Sequence, residues 1–315
     1  MSDVISPEAP PAEAPAEIPE ERQTTPFLVL QFFIFPMAIV AVCVTVFVVF
    51  GLISSSPRSP REYLAEARTG GGMFNIKRWQ AAFALANALE SPKDLEQARK
   101  DPAFVDDVLA LYRDTAGGQG DDPLLRRYLA LALGRLGDAR AVPELRATLQ
   151  KEAADPQTLI YAAWALGTIH DPAALPELLA LSHHDDAGLR KAAVHALGAF
   201  ETAEAHETLR AALNDATEDV RWNAAVALGR RKDAAAGPVL ATMLDRAHLS
   251  DVPGFKNEKG TLDDEAIEGV MVEAVRAASL TPDASLDPTL EKLREGDRSL
   301  KVREEARLAL ERRHN

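Results

Sequence analysis

A run ending in Leu-Gly returns along this chain at a nearly constant interval, and that recurrence constrains the fold more than any other feature. The copies DDPLLRRYLALALG, DPQTLIYAAWALG, DAGLRKAAVHALG and TEDVRWNAAVALG close at Gly134, Gly167, Gly198 and Gly229, with spacings of 33, 31 and 31 residues. Self-similarity at this period is the signature of a solenoid, in which each unit buries its apolar side only against its neighbours. Within each copy small and apolar residues recur three and four apart, which lines one face of a helix. Ala162, Ala165, Ala193, Ala196, Ala224 and Ala227 let helices approach closely, and the closing glycine suits a left-handed C-cap. Four residues on, Asp138, Asp171, Thr202 and Asp233 are placed to cap a partner helix. That partner carries Leu145, Leu178, Leu209 and Leu240 at one position, with Pro143, Pro176 and Pro238 two residues before three of them, predicting a kink or late start.

The pattern Arg-x-x-Ala-x-x-Ala-Leu-Gly stands at Arg190, Ala193, Ala196, Leu197 and Gly198, and again at Arg221, Ala224, Ala227, Leu228 and Gly229. It resembles the short HEAT repeat first described in phycobilisome lyases, and the resemblance covers roughly Arg61 to Arg312. It implies an all-α fold, an α-solenoid of about seven HEAT-like helix pairs, and a binding scaffold rather than an enzyme. The resemblance also implies that the motif helices line a concave face, and that the arginine column Arg78, Arg126, Arg190, Arg221 and Arg303 makes ion pairs between repeats.

Ahead of the repeats the chain changes character twice. Residues 1–26 are rich in Pro, Ala and Glu, with six acidic residues against Arg22 alone, and read as a disordered, solvated spacer. Residues 27–53 contain no charged side chain and would reach roughly 40 Å as a helix, enough for a hydrocarbon core of about 30 Å. The expectation is one transmembrane helix kinked at Pro36, uncleaved because its flank is acidic and its run too long for a signal peptide. Arg58, Arg61, Arg68, Lys77 and Arg78 follow the span, so the positive-inside rule places the chain in the cell inner membrane with its C-terminal side cytoplasmic. Inverted topology is the alternative. A linker over 54–60 leads into the solenoid, 61–315.

The period breaks once. Taking Ser279 as the counterpart of Gly229 gives a spacing of 50, and the 19 extra residues fall in a loop at 245–263. Its Leu249, Val252 and Phe255 are apolar enough to pack over the edge of the array and to touch a ligand.

Positions three, six and seven before each closing residue share one side of the motif helix. They hold Trp79, Gln80 and Phe83; Arg127 and Tyr128; Tyr161 and Trp164; Lys191 and His195; Trp222 and Asn223, so that all three tryptophans fall in these columns. Aromatic residues beside Lys and Arg have the composition of protein-binding hot spots, although rings of this size also serve to fill space between units. A net charge of −13 argues against a nucleic-acid partner. The single cysteine, Cys43, excludes a disulfide framework and a cysteine metal site.

His183, His184, Asp185 and Asp186 adjoin a turn where Asp186 already suits capping, and His206-Glu207 stands alone, so neither predicts a metal site. No catalytic residue and no cofactor are expected. The sequence therefore reads as a membrane-anchored, non-enzymatic scaffold whose concave face binds a membrane-associated protein and whose span contacts the lipid bilayer; oligomeric state stays open. A HEAT-type lyase or metal-dependent hydroxylase is the alternative, resting on the resemblance alone.

Overall fold

The computed structural model describes residues 37, 39–46, 58–70, 77–115, 123–151, 155–256 and 260–314. They divide into two units, 1–57 and 58–315. In the first, 39–46 is helical and exposes Ile39, Val40, Val42, Val44 and Val46. The expected span over 27–53, the inner-membrane placement and the bilayer contact are therefore corrected: among the described residues no helix is long and apolar enough to cross a membrane. The rest of 27–53 and the whole acidic tail 1–26 lie outside the described residues.

The second unit is built of helices, and its described residues contain no strand beyond one isolated bridge, Lys256 to Leu262. Seven helix pairs follow one another: α1 (Pro60–Thr69) with α2 (Arg78–Ala88), α4 (Pro102–Asp114) with α5 (Pro123–Leu136), α6 (Val142–Leu149) with α7 (Pro156–Ile169), α8 (Leu175–Leu181) with α9 (Ala187–Leu197), α10 (Ala203–Ala212) with α11 (Glu218–Arg230), α12 (Gly237–Met243) with α14 (Asp264–Ala278), and α15 (Asp287–Gly296) with α16 (Leu300–His314). Two short helices lie outside the pairing, α3 (Pro92–Arg99) and α13 (Arg246–Asp251). The motif helices touch in the order α2, α5, α7, α9, α11, α14, α16, and each also packs on its own partner. These are the nearest-neighbour contacts a solenoid requires.

The closing glycines have a different role from the one expected. Gly134, Gly167 and Gly229 lie inside their helices, and Gly198 ends α9 at φ −55°, in the right-handed region. A Cβ on Gly167 would sit 2.7 Å from the Cα of Ala196, and one on Gly134 would sit 2.8 Å from the Cα of Ala165. On Gly198 it would meet the Ala227 Cβ at 3.2 Å, and on Gly229 the Ala277 Cβ at 3.0 Å. In every case the neighbour is the alanine two residues before the next closing position, so the repeat is a packing register between successive helices. Chain reversal falls three residues later, where Gly137, His170 and Lys232 take φ of 69°, 59° and 60°.

The partner helices start as the capping residues and prolines dictate. Asp138, Asp171 and Asp233 each accept a hydrogen bond from the amide two residues on, at 2.9, 2.8 and 2.9 Å, and a single 3-10 turn follows. The α-helix then begins one residue ahead of Pro143, Pro176 or Pro238, where a missing amide hydrogen costs nothing, so the prolines mark late starts.

Repeat-spaced ion pairs run along the partner helices rather than the motif column. Arg113 donates to Glu144 at 2.8 Å, and Arg146 clamps Glu177 with two bonds of 2.9 and 2.7 Å, both pairs spanning 31 residues. In the motif column, among the described residues, only Arg190 binds an acid of the next unit, Asp215, at 2.8 and 3.0 Å. Arg126 is buried over the ring of Tyr112 and bonds the Tyr112 carbonyl and two threonine hydroxyls. Arg78 donates to the Ala67 carbonyl at 2.9 Å, Arg221 binds the carbonyls of Asp215 and Ala216, and the buried Nε of Arg303 has no hydrogen-bond partner among the described residues. The column is architectural, but its acceptors are mostly main-chain carbonyls that close the preceding turn.

Candidate functional site

The aromatic columns separate into two groups along the motif helices. In the first, Trp79 and Phe83 of α2 meet Tyr128 of α5 with ring centroids 6.2 and 5.0 Å apart, and Tyr128 meets Tyr161 of α7 edge-on at 6.1 Å. These rings bridge successive units and are half-buried, apart from Phe83 at 43% exposure. Gln80 and Arg127 are committed locally: the Gln80 amide oxygen accepts from the Lys77 amide at 3.1 Å, and Arg127 pairs with Asp155 at 2.8 Å. That aspartate also caps α7 through the Thr158 amide, and its carboxyl is held below the usual range, the bonds from Thr158 and Arg127 outweighing the opposing cost of burial. This group ties neighbours together.

The second group borders a groove of about 680 Å³ that crosses α7, α9, α11 and α14. Small residues form its floor, among them Gly167, Ala196, Gly198 and Ala227, the same positions that let the helices approach. Trp164 stands on one side, its ring lying over Gly134 of the preceding motif helix. Trp222, which also lines the groove, stacks on Phe255 with centroids 6.0 Å apart and planes at 20°. Val226 and Val270 complete the apolar lining.

The polar side chains at the groove are arranged in pairs. Lys191 Nζ lies 2.6 Å from Asp219, and Arg230 lies 2.7 Å from Glu273. Asn223 donates to the Asp219 carbonyl at 2.7 Å. His195 opens to solvent on the groove side while protein atoms crowd the rest of its ring. That desolvation is the main reason its pKa lies below the ordinary value; Arg230 and Lys191 push the same way, and a hydrogen bond with Asn223 opposes them.

The insertion forms one wall of this groove. Its α13 and the 3-10 turn Pro253–Phe255 bury Leu249 completely and Phe255 almost so, while Val252 is half-buried and borders the groove. The segment is fastened at two points: Arg246 clamps Asp297 with bonds of 2.9 and 2.7 Å, and His248 lies 2.9 Å from Glu218 of α11. Residues 257–259 lie outside the described residues.

Of the residues the columns singled out, the structure gathers Trp164, Lys191, His195, Trp222 and Asn223 at this groove, with Val252 and Phe255 of the loop. Trp79, Gln80, Phe83, Arg127, Tyr128 and Tyr161 lie outside it, and Leu249 belongs to the core. Trp222 is only 5% exposed, whereas Trp164 is half-buried, so the more open tryptophan of the two is Trp164. Asp219 and Arg230 fall outside the columns, and Glu273 lies in the unit after the last one the columns cover. Asp219, Asn223, Val226 and Arg230 follow one another at four, three and four residues, so extending the count by a turn at each end of α11 finds both ends. Glu273 stands six before Ser279, in the same column as Asn223.

The run His183 to Asp186 is spent on the turn before α9: His184 Nδ1 accepts the Asp186 amide at 2.9 Å, and Asp186 accepts the Leu189 amide at 3.0 Å. Among the described residues no group of three or more His, Cys, Asp or Glu side chains is placed to hold a metal ion.

Comparison with known proteins agrees with this architecture. The model of the family described as HEAT repeats matches residues 116–198 and 178–252, so this part of the chain carries HEAT repeats. No curated protein matches the chain. Among solved structures, the chain is similar to one from the complex of CpcE and CpcF of phycocyanin lyase from Nostoc sp., with 21% identity, 82% of this chain and 94% of that one covered, and a TM-score of 0.49. It is also similar to YibA of Escherichia coli, with 16% identity, coverage of 84% and 96%, and a TM-score of 0.48. Human deoxyhypusine hydroxylase matches at 20% identity over 75% of this chain and 96% of that one, with a TM-score of 0.28.

Proposed function

We propose that the stacked helices form a solenoid that acts as a non-enzymatic scaffold, holding a segment of a protein partner in the groove between Trp164 and Phe255. The observation that carries this reading is the composition of the groove: the half-buried Trp164, the stacked Trp222–Phe255 pair and an apolar lining in one cleft, bordered by charged side chains. Aromatic anchors around a desolvated centre with a polar rim are the anatomy of protein-binding hot spots. The HEAT repeats over 116–252 support the reading, because stacked repeats present extended surfaces for partners.

A photo-crosslinking residue placed at Thr168, on the groove wall, in the full chain tests this in the native cells. The expected result is a discrete protein adduct that is lost or strongly reduced when Gly269→Leu obstructs the groove. Gly269 lines the groove within α14, and a Cβ there meets nothing within 4 Å, so the added side chain blocks the space without straining the fold. An adduct indifferent to Gly269→Leu, or none at all, overturns the proposal.

A further inference from the structure

The charge layout at the groove says what kind of segment it takes. Its ionised lining residues are two cations and two anions, joined as Lys191 with Asp219 at 2.6 Å and Arg230 with Glu273 at 2.7 Å. Trp164, Val226 and Val270 line the same groove, with glycine and alanine positions beside them. A carboxylate or ammonium entering this space finds no uncompensated opposite charge and loses water against the apolar lining, so it binds at a net cost. An uncharged apolar group gains from the same lining and leaves both ion pairs intact. The volume of about 680 Å³ is in the range of clefts that hold one drug-sized molecule, which restricts the buried part to a few side chains.

Resting on the proposed scaffold reading, we infer that the groove recognises an uncharged partner segment that inserts one bulky apolar side chain between Trp164 and Phe255. The paired charges act by exclusion, rejecting acidic and basic segments.

Panning a library of random short peptides on the full chain, with Gly269→Leu as the counter-selected control, tests this. The expected peptides depend on an open groove and carry Trp, Phe or Leu at the centre with no charge within two residues of it. Placing Lys or Glu next to the anchor weakens them by about tenfold or more. In a second measurement, Lys191→Met combined with Asp219→Leu removes one pair together, and the best selected peptide keeps its affinity within about threefold. Groove-dependent peptides with a charged centre, or loss of binding in the double variant while its melting point holds, overturn the neutral-segment inference and leave the scaffold reading standing. The absence of any groove-dependent peptide overturns both.

Discussion

At the level of single residues, glycine has two opposite meanings in this chain. The backbone of the next helix occupies the space where a Gly167 side chain would lie, with the Ala196 Cα at 2.7 Å, and a main chain cannot move aside as a side-chain tip can. Gly167→Ala should therefore cost about 1–3 kcal/mol by overpacking, more than offsetting a helix-propensity gain of about 1 kcal/mol. Gly269, with nothing near its missing Cβ, should respond in the reverse sense, Gly269→Ala stabilising α14 by about 0.5–1 kcal/mol. Urea unfolding of the two variants checks both signs, and equal behaviour would remove the register argument. The Leu-Gly period is visible in the letters alone. That its purpose is close approach rather than a C-cap is not, because both uses put glycine near a helix end. The reversal is instead carried by Gly137, His170 and Lys232, three residues later, where two of the three positions are not glycine.

Among the elements, the insertion between α12 and α14 decides most about the site. Sequence periodicity exposes it as 19 surplus residues with too many apolar side chains for a spacer. It does not show that Phe255 stacks on Trp222 or that Arg246 reaches Asp297, 51 residues away, since nothing local specifies such pairings. Asp297 keeps 4% of its side-chain surface and Arg246 17%, so removing the acid's charge leaves a guanidinium largely cut off from water. Asp297→Asn, which retains the hydrogen-bond acceptor for the Ser299 amide, should loosen the insertion at a cost of about 3 kcal/mol. Hydrogen exchange should then accelerate in 246–256 and stay unchanged in α7 and α9; uniform acceleration would mean that the pair supports the whole stack instead. The columns on the motif helices were similarly half legible. They led to Trp164, Lys191 and His195, but also to Trp79, Tyr128 and Tyr161, which bridge neighbouring units, because spacing within a helix cannot tell an open ring from one that meets the next unit.

For the second unit as a whole, stability is distributed along a line of neighbour contacts, and some of those contacts are titratable. Asp233, which caps the turn before α12, accepts from Arg210 at 2.6 and 2.8 Å and lies 3.0 Å from His206. The bonds from Arg210, foremost, with the Ala235 amide and the nearby cations, lower its pKa from 3.8 to about 2 against the cost of burial. A carboxylate depressed by folding contributes stability that is complete above its unfolded pKa and disappears as pH falls through the folded value. Here the window runs from about pH 4 down to about pH 2 and holds at most about 2 kcal/mol, since the exposed side of Arg210 is screened. Asp233→Asn should flatten this limb of the acid-unfolding curve while the amide still caps the turn; an unaltered limb would show that other carboxylates dominate it. One consequence follows from Ala277 meeting Gly229 as Ala227 meets Gly198, despite the residues inserted between α12 and α14. The register of the frame is thus set without the loop, so a replacement of different length or chemistry that still supplies a cation to Asp297 and an apolar side chain in the place of Leu249 can reshape the cleft, by evolution or by engineering, as a cassette on an unaltered frame.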